Sequence, residues 1–187
     1  MNRFDFEKTC IDGVYIVTPK PFKDDRGYYE RFFCAQDFSE LGVSKTICQV
    51  NHSYTAKKGT IRGFHFQHPP YAETKVVRCT KGAIIDVALD LRQGSSTFLQ
   101  TFAIELNDKN SKYLVLPKGI AHGFQTLEDG SEIIYFTDHV YTPEADDGIN
   151  PFDPKLNYKW PLDVTSISDN DKNRKLISNH FLGLTVK

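Results

Sequence analysis

The 187-residue chain has no apolar run approaching the roughly 18 residues that a helix needs to cross a bilayer. Its first residues, Met1-Asn2-Arg3-Phe4-Asp5-Phe6-Glu7-Lys8, carry charge every second or third position and lack the apolar centre of a secretion signal. An excess of one charge is missing too. There are 23 Lys and Arg against 24 Asp and Glu, a formal charge of -1, which gives no general electrostatic reason to expect nucleic acid or an anionic membrane as partner. The four cysteines, Cys10, Cys34, Cys48 and Cys79, have no paired spacing. They read as reduced packing residues of a cytoplasmic protein, not as a disulfide framework or a zinc site. No internal repeat, low-complexity stretch or long linker divides the chain, so residues 1–187 read as one domain.

What is abundant is aromatic. Fourteen Phe, nine Tyr and one Trp make 13% of the chain, a bias that favours pleated, half-buried surfaces over helices. Short β-type runs separated by turn residues recur at 13–18, 28–33, 46–53, 60–67, 74–80, 83–91, 98–105, 113–116, 123–127 and 132–136. The Lys81-Gly82 step reads as a tight hairpin. Residues 38–41, closed by Gly42, read as a short helix, and 169–178 as a terminal one. This spacing predicts an all-β jelly-roll sandwich or barrel. Pro151, Pro154 and Pro161 break up the last forty residues into an irregular C-terminal arm.

Three clusters could carry chemistry. In Arg62-Gly63-Phe64-His65-Phe66-Gln67-His68, strand alternation puts Arg62, Phe64, Phe66 and His68 on one face, and Gly63, His65 and Gln67 on the other. Polar His65 and Gln67 facing a small barrel's interior would cost stability unless they are bonded, so His65 reads either as a satisfied core histidine or as a functional one. Lys75 alternates with Val77. Pointing outward it is a solvated surface charge, the reading this strand alone favours; pointing inward it is an electrophile or phosphate contact. Around Pro117-Lys118-Gly119-Ile120-Ala121-His122-Gly123-Phe124, His122 sits at a strand entrance. Downstream, Tyr135 lies between Ile134 and Phe136, where its hydroxyl needs a partner. His65 and His68 fall on opposite strand faces and do not chelate together; His65 with His122 and a carboxylate could.

These stretches, with Asp25-Arg26-Gly27, Gln49-Val50-Asn51, Lys75-Val76-Val77, Tyr135 with Tyr141, Trp160-Pro161 and Ile167-Ser168-Asp169-Asn170-Asp171, run in one order through residues 10–175. In that order the sequence resembles the dTDP-4-dehydrorhamnose 3,5-epimerase family. The resemblance implies a cupin-type jelly roll, usually a homodimer, working without metal or other cofactor. It implies inversion of C3 and C5 of a nucleotide-linked 4-keto-6-deoxy sugar, dTDP-4-dehydro-6-deoxy-D-glucose becoming dTDP-4-dehydro-L-rhamnose. In the implied roles His65 is the base, Asp171 orients it, Lys75 steadies the enolate oxygen and Tyr135 is the acid on the other face. Arg26, Gln49, Asn51, Arg62, His122 and Tyr141 match substrate-binding positions. Three further positions on the nucleotide side depart from the family pattern: Arg31 and Asp146 where glutamate is usual, and Asn170 where a cation is usual. The other readings are an epimerase of one centre only, one using a CDP- or GDP-linked sugar, a metal-dependent cupin enzyme and a non-catalytic sugar-binding cupin.

Overall fold

The computed structural model describes residues 3–43 and 46–186; Met1, Asn2, Ser44, Lys45 and Lys187, including the first two residues of the charged start, lie outside the described residues. In chain order the elements are β1 (Phe4–Lys8), β2 (Tyr15–Pro19), β3 (Phe22–Asp24), β4 (Gly27–Tyr29), α1 (Ala35–Ser39), β5 (Gln49–Thr55), β6 (Thr60–Gln67) and β7 (Lys75–Lys81). They continue with β8 (Ala83–Asp90), β9 (Thr101–Asn107), β10 (Tyr113–Leu116), β11 (Ile120–Thr126), β12 (Ser131–Thr137), β13 (Asp146–Gly148), β14 (Ser166–Ile167) and α2 (Asp169–Lys172). The fold is the expected all-β jelly roll. One sheet runs β1-β2-β10-β7-β12-β5 and faces a second that runs β13-β6-β11-β8-β9, with β14 added parallel to β6. Strands β3 and β4 form a separate hairpin. No helix among the described residues is long and apolar enough to cross a membrane.

Apolar side chains fill three layers. Between the sheets lie Val77, Leu114 and Ile133 of the first and Ile84, Ala88, Leu106 and Phe124 of the second. Outside the first sheet, α1 and its neighbours bring Phe38, Leu41 and Val43 onto Val17, Val76, Tyr113 and Phe136. Outside the second, the C-terminal arm seals Ile61, Phe64, Phe66, Val87 and Leu89 with Ile149, Leu156, Trp160 and Ile177. Both faces of the central strands are thus covered, which is why β11 is buried at every position instead of alternating.

Several sequence expectations are corrected. The Lys81-Gly82 step is no hairpin: β7 pairs with β10 and β12, β8 with β9 and β11, so the chain changes sheets there. Gly82 makes the sharp step with φ of +71°, in the region that glycine enters without strain. The expected strand at 28–33 ends at Tyr29. Beyond it Glu30 is drawn into an ion pair with Arg78, and the Phe32 carbonyl accepts from the Tyr113 hydroxyl. The expected helix at 169–178 stops at Lys172 because the next residues bond elsewhere. The Asn150 side-chain amide donates to the carbonyls of Lys172 and Arg174, and the Ile177 N–H donates to Asp153. Strand β1 had no sequence expectation.

Strand β6 also breaks the expected alternation. His122 of β11 pairs with His65, yet Phe124 pairs with Arg62, so two steps on β11 oppose three on β6. Such a bulge slips the phase by one residue. Ile61, Phe64 and Phe66 all enter the outer core, while Arg62 turns to the opposite side from Phe64, the side His65 faces. At the slip, Gly63 has φ of +112°, and a Cβ there would lie 2.5 Å from Gly123 Cα.

Candidate active site

The inter-sheet layer turns polar at one end. Along β7, Cys79 and Val77 face the core between the sheets, and the same alternation carries Lys75 into the continuation of that space. Along β12, Ile133 faces the core, Tyr135 packs against its edge and Thr137 follows. The result is a cavity of about 280 Å³. It is lined by Gln49 and Asn51 of β5, His65, Phe66 and Gln67 of β6, Lys75 and the preceding Glu73, Tyr135 and Thr137 of β12, Tyr141 and Asp146. Lys75 points inward, against the reading that its strand alone favoured.

His65 is held from behind. Its Nε2 lies 2.6 Å from Oδ1 of Asp171, a carboxylate 106 positions away and 4% exposed. Asp171 gets there because β14 pairs with the start of β6, after which Ser168 caps α2 by accepting from the Asp171 N–H. The Asp171 Oδ2 accepts from the Gly63 N–H at 3.3 Å. Burial works against the Asp171 charge, but the bond to His65, the histidine's own charge, the Gly63 N–H and the Ser168 hydroxyl outweigh it and hold the carboxyl below its ordinary range. An ionised carboxylate can only accept, so Nε2 carries a proton in either form of His65, and it is Nδ1 that has the lone pair a base needs when the ring is neutral.

Tyr135 is the complement. Burial first, then the negative charge of Glu73, push its phenol above the ordinary value against the pull of Arg62, so it stays protonated at neutral pH. The Lys75 ammonium is 2.9 Å from Glu73 Oε1, with side chains 13% and 10% exposed. Gln67 Nε2 donates to Glu73 Oε2 at 3.1 Å, and to the Tyr71 and Val140 carbonyls. Gln67 Oε1 accepts from the Thr142 N–H at 2.6 Å, while Gln49 Oε1 accepts from the Tyr141 N–H. Two glutamines thereby fix the segment that places Tyr141, 57% exposed, at the cavity.

The remaining expected residues divide. Asp146 lines the cavity and binds Arg174 Nη2 at 3.0 Å. Arg62 lies outside the lining, its Nε bonded to Thr55 Oγ1 at 3.1 Å and its Nη2 to the Tyr54 carbonyl. His122 is buried opposite His65, with Nε2 2.5 Å from Asp86 Oδ1, and is not among the lining residues. Nor does the structure bring Arg26, Arg31 or Asn170 to the cavity lining of their own chain. Arg26 is bonded to Asp24 on the exposed β3–β4 hairpin, Arg31 pairs with Asp37 at 3.6 Å, and Asn170 is exposed on α2. Glu73 was missed by sequence reasoning, although its position two residues before Lys75 was a legible signal of a shared face. Thr137, Phe66 and Arg174 were missed as well, and nothing in their local sequence singled them out. Among the described residues no group of three or more His, Cys, Asp and Glu side chains is placed to hold a metal ion.

The chain is 40% identical over 167 residues to the dTDP-4-dehydrorhamnose 3,5-epimerase of Shigella flexneri, covering 89% of this chain and 92% of that protein. The crystal structure of dTDP-6-deoxy-D-glucose-3,5-epimerase from Legionella pneumophila in complex with dTDP-4-keto-L-rhamnose superposes with a TM-score of 0.89 at 34% identity, covering 98% of this chain and all of that one. A dTDP-4-dehydrorhamnose 3-epimerase of Streptomyces niveus is 32% identical over 90% of this chain and 81% of its own. The family model for dTDP-4-dehydrorhamnose 3,5-epimerase matches residues 8–179. With that match spanning both sheets, the cavity and Asp171, the chain belongs to the dTDP-4-dehydrorhamnose 3,5-epimerase family of isomerases.

Proposed function

We propose that the chain inverts C3 and C5 of dTDP-4-dehydro-6-deoxy-D-glucose to give dTDP-4-dehydro-L-rhamnose. The observation that carries this reading is His65, backed by Asp171, lining one cavity together with Lys75 and a protonated Tyr135. Hydrogens on the carbons flanking a 4-keto group are weakly acidic. In each inversion Nδ1 of His65 takes the proton, the C–H electrons pass to the carbonyl oxygen, and the Lys75 ammonium holds the enolate. Tyr135 then delivers its proton to the opposite face of the carbon. Solvent reprotonates the tyrosinate and takes the proton from His65, so each turnover exchanges substrate hydrogen with water.

The test is proton NMR of dTDP-4-dehydro-6-deoxyglucose turned over in D₂O. Deuterium entering at both C3 and C5 is the expected result. Deuterium at C3 alone would make the chain a single-centre epimerase, as the Streptomyces niveus relative is named. No exchange at either centre would reject the thymidine sugar and turn attention to other nucleotides, with Arg31 as the reason.

The same reading includes a cytoplasmic homodimer, consistent with four free cysteines in a reducing compartment. A diphosphate requires cations, yet Lys75 in the cavity is paired with Glu73, Arg174 is paired with the lining residue Asp146, and Arg62, on neutral partners, lies outside the lining. The β3–β4 hairpin carries Arg26 with exposed Phe22, Tyr28 and Tyr29, and edge strand β5 exposes Val50 and Tyr54. In a dimer the hairpin of one copy would supply Arg26 to the nucleotide of the other, where it answers the implied binding role. Sedimentation equilibrium is expected to give twice the 21.4 kDa chain mass; a monomer at enzyme-assay concentration rejects the arrangement.

A further inference from the structure

Within the Gln67–Glu73–Lys75 network that lines the cavity, Lys75 holds the enolate of the proposed reaction, but Glu73 and Gln67 take no part in the proton transfers. Each oxygen of the Glu73 carboxylate has its own donor, Lys75 on Oε1 and Gln67 on Oε2, and the Gln67 amide is anchored in turn on three backbone groups of residues 71, 140 and 142. Gln67 is 3% exposed. A charged pair with so little solvent around it interacts more strongly than a surface pair and is sterically fixed. An ammonium this buried needs a counter-ion in any case. The carboxylate that supplies it lines the same cavity as Tyr135, so its charge also acts on that phenol.

From the geometry we infer that Glu73 is a positioning residue that ties the two electrophilic groups of the site together, locating the Lys75 ammonium and keeping the Tyr135 phenol in its proton-donating form. The charged or titratable groups facing Tyr135 are His65 and Arg62 from β6, Glu73 and Lys75 from the β7 side, and Tyr141 and Asp146 from the segment after β12; its β5 neighbours Gln49 and Asn51 are neutral. Of these, Glu73 raises the phenol's pKa and Arg62 lowers it. With Glu73 neutral, the negative charge that disfavours tyrosinate is gone and the positive charge of Lys75 is no longer offset. Both changes stabilise tyrosinate, so the phenol must lose its proton at lower pH than in the native protein.

This inference rests on Tyr135 being the acid of the proposed reaction, and its test separates the two. The full chain is labelled with ¹³Cζ-tyrosine and titrated without substrate, the Tyr135 signal being assigned by its loss in Tyr135→Phe. Native Tyr135 is expected to titrate above an ordinary tyrosine. In the near-isosteric Glu73→Gln variant the midpoint is expected to fall by about one pH unit, and the alkaline limb of kcat to fall with it. Glu73→Asp, which keeps the charge, is expected to titrate as the native protein does. A native Tyr135 titrating as an ordinary tyrosine overturns the inference. So does an equal displacement by the Asp and Gln variants, which would reduce Glu73 to packing. Full turnover by Tyr135→Phe would instead reject the role of Tyr135, whatever the titration shows.

Discussion

His65→Ala is expected to lower turnover by roughly 10²–10⁴-fold, the usual contribution of a positioned general base, and to abolish deuterium incorporation at both carbons. Nucleotide binding should be nearly unchanged, because His65 lines the cavity proposed to take the sugar and offers no fixed cation to a diphosphate. Tyr135→Phe is expected to differ in kind. It keeps the base and the Lys75 ammonium, so His65 can remove a proton and return one to the same face. The variant should therefore exchange substrate hydrogen for deuterium while forming almost no inverted product. The two signatures are separable in one NMR tube, loss of exchange for the base and exchange without inversion for the acid. Near-native inversion by both variants would sink the assignment of roles.

Arg78→Met is expected to destabilise the fold by about 3–5 kcal/mol, the cost of stranding one partner of a buried ion pair. Arg78 and Glu30 are 5% and 11% exposed and meet at 2.5 Å on the outer face of the first sheet. The guanidinium also donates to the Tyr113 hydroxyl and lies over the rings of Phe32 and Tyr113, at 4.5 and 4.8 Å. Burial leads the forces that raise the Tyr113 phenol to about 12, so it stays a donor to the Phe32 carbonyl throughout the working pH range. In a chain of this size the loss corresponds to a fall in Tm on the order of 10 °C. Adding Glu30→Leu should restore much of it, since exchanging a whole buried pair for apolar groups is often neutral. A single-variant loss below about 1 kcal/mol would show the pair to be effectively solvated.

Strand content and jelly-roll class were legible because aromatic, β-branched runs are short and punctuated by turn residues; 60–67 and 113–116 match β6 and β10 to the residue. Strand continuations such as Lys75 beyond Val77 were legible as shared faces but not as inward ones, because a two-residue period cannot say which side is covered. Arg62 defeated the same rule, since one bulge opposite β11 reverses the faces without leaving a mark in the hydrophobic pattern. The Lys81-Gly82 step failed for another reason: a glycine turn looks alike whether the next strand returns beside the last or crosses to the facing sheet. Asp171 was reached only through resemblance, because no local pattern ties residue 171 to residue 65. The helix expected over 169–178 was undone by side chains of Asn150 and Asp153, which no window of that length contains.

The change of sheets at Gly82 also bears on the order in which the chain can fold. Residues 113–137 supply β10, β11 and β12, the strands that pair with β2, β5, β6, β7 and β8. A nascent chain that has emerged only as far as residue 107 can form the β1–β2, β3–β4 and β8–β9 ladders, but its β5, β6 and β7 still wait for their partners. Of those waiting strands, TIRGFHFQ and KVVRCTK leave unpaired backbone edges that other chains can pair with until the partners arrive, a hazard that the three charges of KVVRCTK reduce. Closure depends on contacts distant in sequence, which slows folding and makes the two sheets wait for residues 113–137. Asp171 arrives later still, so on the ribosome the sheets can close before His65 has its carboxylate.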